Sequence, residues 1–98
     1  MAAYVIANLT IKNPDAYAEY SKQVPETVSR WAGRFIVRGG AVETLDGDWS
    51  PKRLVVIEFP DLETARNWYG SDEYQAILPI RLANSEGAVI LAEGYGPD

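Results

Sequence analysis

The chain has 98 residues, with 9 Lys and Arg against 14 Asp and Glu and a formal net charge of −5, which suits one small domain and supplies no basic surface for nucleic acid. Cys and His are both absent, which removes disulfides, thiolate nucleophiles, His-based triads and every metal or haem site that needs sulfur or imidazole. The reading therefore carries no metal and no cofactor, and leaves chemistry to carboxylates, Tyr, Arg, Lys and Ser or Thr.

Tyr4 to Ile11 alternates Val5, Ala7, Leu9 and Ile11 with Tyr4, Ile6, Asn8 and Thr10, the two-residue period of a strand. Asn13-Pro14-Asp15 then reads as a helix start, with an N-cap, a Pro in the first turn and an acid at the positive end. Tyr17, Tyr20, Val24, Val28 and Trp31 make one apolar stripe up to Gly33, and Pro25 must kink or restart the helix. Arg34 to Leu45 is a second strand with a bulge or sharp coil expected at Gly39-Gly40. Asp46 to Pro51 is a turn cluster, and Arg53 to Phe59 is the third strand, its hairpin partner. Pro60-Asp61 caps a second helix running to Gly70. Ser71-Asp72 recaps a short continuation, Pro79 opens another turn or short helix ending near Asn84, and Ala88 to Tyr95 is the last strand.

This order, βαββαβ, is met most simply by an α+β ferredoxin-like fold: a four-stranded antiparallel sheet ordered 4-1-3-2, both helices on one face. The other face should be polar in a monomer. Instead Leu54 and Val56 occupy one parity of the third strand while Val55, Ile57 and Phe59 occupy the other, and the first and last strands are similarly apolar on both sides. Docking of two such sheets would bury the surplus face, so a homodimer forming an α+β barrel is expected. No apolar run is long enough to span a bilayer and the first residues lack a secretion signal, so a cytoplasmic protein without a membrane partner is expected.

Among candidate functional residues, Glu58 interrupts an apolar strand and reads either as a cleft base or as half of a structural ion pair. Arg38, beside Gly39 and Gly40, could clamp a carboxylate or enolate oxygen where glycine lets a ligand approach, or pair with Glu58, Glu43 or Glu93. Strand register decides whether Arg38 and Glu58 share a face. Tyr20, Trp68 and Tyr74, with Tyr17 and Tyr69, either line a pocket or fill the core. Arg81 is a second anion anchor or a helix-end cap, and Asn8 completes the polar set. Glu58 and Arg38 are taken as the catalytic candidates. Asn8, Tyr20, Gly39, Gly40, Trp68, Tyr74 and Arg81 are taken as ligand-binding.

Taken together, Asn13-Pro14-Asp15 with Tyr17 and Tyr20, Phe35 to Gly40, Gly47 to Arg53, Val55 to Pro60, Trp68-Tyr69, Glu73-Tyr74-Gln75 and Arg81 resemble the bacterial family called domain of unknown function 1330, within the dimeric α+β barrel superfamily. One departure is Ala32-Gly33, where the family more often has Gly-Gly; another is Leu45-Asp46-Gly47, where it tends to Glu before Gly. The resemblance implies the fold and the dimer but no settled activity. Superfamily relatives include cofactor-independent monooxygenases, muconolactone isomerases and haem enzymes, and the last group ordinarily uses a His that this chain lacks. What remains is a small-molecule-binding barrel, catalytic on a small anionic or aromatic compound, or a non-catalytic ligand-binding or regulatory homodimer.

Overall fold

The computed structural model describes residues 1–96. It contains β1 (Ala3–Ile11), α1 (Pro14–Ser21), α2 (Val24–Arg30), β2 (Arg34–Arg38), β3 (Arg53–Phe59), α3 (Leu62–Gly70), α4 (Asp72–Asn84) and β4 (Ser85–Glu93). The four strands form one sheet ordered β2-β3-β1-β4 with every neighbouring pair antiparallel, the ferredoxin-like arrangement. The period-two pattern of β1 works as read: Ala3, Val5, Ala7 and Leu9 are buried under the helices. Val55, Ile57 and Phe59 of β3 join them, and Trp68, Tyr74, Ile77 and Leu78 close the core from above.

The structure departs from the sequence reading at several points. β2 ends at Arg38 instead of Leu45, because Gly39 at φ +71° turns the chain off the sheet. Residues 41–50 are then exposed and in neither strand nor helix. The ladder irregularity lies between Phe35 and Val37, with Ile36 as the extra residue, and not at Gly39-Gly40. Helix α4 runs unbroken through Pro79. The hydrogen bond lost there is outweighed by burial of Tyr74, Ile77 and Leu78 along one side. Pro25, by contrast, sits in the first turn of a new helix, so the long helical stripe is two helices. The last strand begins at Ser85 and ends at Glu93, and Tyr95 lies beyond it, fully exposed.

The end of α2 carries strain. The amide of Gly33 donates to the Val28 carbonyl at 3.0 Å, but the left-handed position belongs to Ala32, at φ +59°. Gly33 is required for space, since a Cβ there would stand 2.6 Å from the Phe59 ring. Ala32→Gly should therefore raise stability by about 1 kcal/mol. Chemical denaturation checks this, and an unchanged or lower midpoint would contradict it.

The helices cover one sheet face only. On the other, Ile6, Val37, Leu54, Val56 and Ile90 form an apolar band, set by the register Ile6↔Val56, Ile6↔Ile90 and Val37↔Val56. Ile90 is 56% exposed. This is the surplus face expected from the two apolar parities of β3.

Candidate functional site

Between sheet and helices lies a cavity of about 40 Å³. Its floor is apolar, from Val5, Ala7, Leu9, Val55 and Ile57, and its roof is Tyr17 and Tyr20 of α1 with Trp68 and Tyr74. Helical spacing brings Tyr17 and Tyr20 to one side of α1, their rings 5.4 Å apart. The caps Asp61, accepting from the Thr64 amide at 2.7 Å, and Ser71, accepting from the Tyr74 amide at 3.3 Å, set where α3 and α4 begin. Trp68 is locked by its indole N–H donating to the Thr27 hydroxyl at 3.0 Å. Its ring packs 4.3 Å from that of Tyr74.

The polar contribution is one-sided. Tyr20 and Tyr74 share a hydroxyl–hydroxyl hydrogen bond of 2.7 Å. Burial pushes both phenols above their ordinary range; for Tyr74 the hydrogen bond to Tyr20 and the Arg81 charge pull partly back. Both stay protonated at neutral pH and serve as hydrogen-bonding hydroxyls, not as bases. Three arginines line the same cavity: Arg38, Arg53 and Arg81. Arg81 is only 7% exposed. Arg38 donates to the Ser21 carbonyl at 2.7 Å and lies over the Phe35 ring at 4.4 Å. Arg53 stands 5.8 Å from the Tyr17 ring centre, its guanidinium against Gly39. Among the described residues no Asp or Glu lines the cavity and none of these arginines has an ion-pair partner, while Lys12, Lys22, Arg30 and Arg34 on the surface each have at least one.

The sequence candidates separate accordingly. Tyr20, Trp68, Tyr74, Arg38 and Arg81 converge on the cavity, and Gly39 borders it through Arg53. Gly40 is exposed with open space at its Cβ position. Asn8 and Glu58 lie on the opposite sheet face, cross-strand from Leu54 and from Tyr4 and Arg34. Arg38 and Glu58 therefore do not form one site. Arg34 is the cross-strand neighbour of Glu58, and the extra residue at Ile36 turns Arg38 to the core side, opposite Val55. Arg53 was not among the candidates, although its parity with Val55, Ile57 and Phe59 places it on the core side of β3.

Glu58 makes a surface ion pair of 2.8 Å to Arg34 and accepts from the Tyr4 hydroxyl at 3.1 Å. The Arg34 guanidinium, then the Tyr4 hydroxyl, hold its carboxyl below the usual range. A lowered folded-state pKa contributes stability that is complete above the unfolded carboxylate value and is lost as pH falls through the folded one. Glu58→Gln should melt slightly below wild type at pH 7, and the two curves should converge in acid. A gap that persists or widens at low pH would contradict the assignment.

Residues 2–95 match the family described as Domain of unknown function (DUF1330). The chain belongs to that family. No curated protein matches it. Among solved structures, this DUF1330 chain is similar to a protein of unknown function from Rhodopseudomonas palustris, with 17% identity, 98% of this chain and 84% of that one covered, and a TM-score of 0.76. It is also similar to SnoaB, a cofactor-independent oxygenase from Streptomyces nogalater (13% identity, 98% and 95% covered, TM-score 0.61). A third similar structure is a dimeric protein of unknown function and ferredoxin-like fold from Bacteroides fragilis (12% identity, 95% of each chain covered, TM-score 0.53). At these identities the likeness establishes the DUF1330 fold alone.

Proposed function

We propose that this protein is a homodimer, sheet face against sheet face, in which each protomer binds a small anionic molecule in the cavity beneath its helices. The observation that carries the ligand reading is the trio Arg38, Arg53 and Arg81 around one cavity with no carboxylate among the described residues that line it. Arg81 is buried and Arg53 half-buried, and in a chain of net charge −5 a buried cation left without a counter-charge is costly, while an anion supplies it. The dimer reading is supported by the uncovered apolar band and by the dimeric neighbour from Bacteroides fragilis. Docking of the two bands should bury more than about 1,200 Å² in total.

Binding without catalysis is favoured because among the described residues no carboxylate lines the cavity, the phenols stay protonated and Glu58 lies on the other face. The second reading, catalysis on an aromatic substrate, draws on the shared fold of SnoaB. The same donors would stabilise an oxyanion, but the base would have to come from the substrate or solvent.

Thermal melting across a panel of small organic and inorganic anions at constant ionic strength tests the reading. At least one class should raise the melting temperature saturably, as ligand binding to the folded state alone requires, by about 2.7 kcal/mol of stability at a hundredfold excess over Kd. Equal melting across the panel would overturn it.

A further inference from the structure

We infer that the ligand is a small monocarboxylate that enters head-first, its carboxylate held by Arg81, Arg53 and the Tyr20–Tyr74 pair and its apolar body directed toward the rim at Ser21 and Arg38. This rests on the reading of the cavity as an anion site and names the chemistry of the anion.

Hydrogen-bond donors outnumber acceptors around the cavity. Two phenols carry two hydroxyl protons, and the 2.7 Å contact between Tyr20 and Tyr74 uses one of them, whichever donates. The other has no acceptor among the described residues. The Nε atoms of Arg53 and Arg81 are buried and likewise without a partner. Three donors thus go unused on residues lining one cavity, and apart from Ser21 and Arg38 at the rim the other lining side chains are aliphatic or aromatic. Buried donors in such number are uncommon in folded proteins. The complementary ligand group offers acceptors only, carries negative charge, and is small. A carboxylate is acceptor-only, with four lone-pair positions, and arginine matches its planar geometry. A cavity of about 40 Å³ suits a compact, planar head group. The apolar floor and the exposed position of Arg38 leave the rest of the molecule to lie outward.

The test is calorimetric titration of the purified protein with formate, acetate, butyrate and benzoate, each against its neutral primary amide, and with inorganic phosphate. At least one carboxylate should bind, at least about tenfold more tightly than its amide and than phosphate. The double variant Tyr20→Phe/Tyr74→Phe removes both hydroxyls, and with them the unused proton, while leaving the rings, so it should weaken that carboxylate about tenfold while melting cooperatively. Should the double variant fail to fold, Arg53→Gln, on the partly exposed end of β3, carries the same expectation. Phosphate binding with every carboxylate silent would overturn the carboxylate assignment and leave the anion reading intact. Amides binding as well as carboxylates, or no anion binding at all, would overturn both. Unchanged carboxylate affinity in both variants would remove the donor count as its basis.

Discussion

Ile57→Asp is expected to leave no folded protein, while Val56→Asp, one residue earlier, is expected to give a folded monomer. Ile57 is 4% exposed in the core, opposite Val5 and Phe35. A carboxylate there has no partner and should cost about 4 kcal/mol or more, comparable with the whole stability of a domain this size. Val56 faces away, opposite Ile6 and Val37 in the uncovered band. In a lone protomer its replacement should change stability by about 1 kcal/mol or less, but across a two-fold interface it places like charges against apolar surface on both sides. Circular dichroism and sedimentation at micromolar concentration separate the outcomes. A Val56→Asp dimer as tight as wild type would contradict the sheet-to-sheet interface, and a folded Ile57→Asp would contradict the assignment of strand faces.

The second large effect concerns Arg81. Arg81→Met keeps a long, helix-compatible side chain and removes a buried charge that no carboxylate balances. It should stabilise the ligand-free protein by about 1–2 kcal/mol and abolish the response to anions. Such a change of opposite sign in stability and binding is what a residue retained for a ligand predicts. A cation that merely supported the fold would lose stability on replacement. Denaturation midpoints with and without the best anion read both quantities on one variant. A destabilised Arg81→Met that still responds to anions would contradict its place in the site.

Elements and their order were legible because periodicity and caps act locally: the alternation in Tyr4 to Ile11, the cap at Asp61, the paired parities of Leu54 to Phe59. The surplus apolar face was legible for the same reason, since parity needs no tertiary knowledge. Register was not. Whether Arg38 shared a face with Glu58 turned on one extra residue, and the bulge fell at Ile36, where β-branched sequence conceals it, while the conspicuous Gly39-Gly40 marks the strand's end. The unbroken α4 was hidden by Pro79, whose local penalty is overridden by burial that only the packed core supplies. The site was half legible. Tyr20, Tyr74, Trp68, Arg38 and Arg81 were legible as chemistry-bearing side chains, but the four elements that carry them had to be folded against β3 before Arg53 joined them. That no carboxylate lines the cavity among the described residues is a property of space, which no spacing in the chain encodes.

The most direct test of the anion site needs no knowledge of the natural ligand. Crystals of the protein soaked in sodium iodide, measured where iodide scatters anomalously, locate every bound anion. The account predicts an anomalous peak inside the cavity, within reach of Arg81, Arg53 and the Tyr20 hydroxyl, in each protomer. Iodide confined to the outer surface, with the cavity empty at the same concentration, would contradict it.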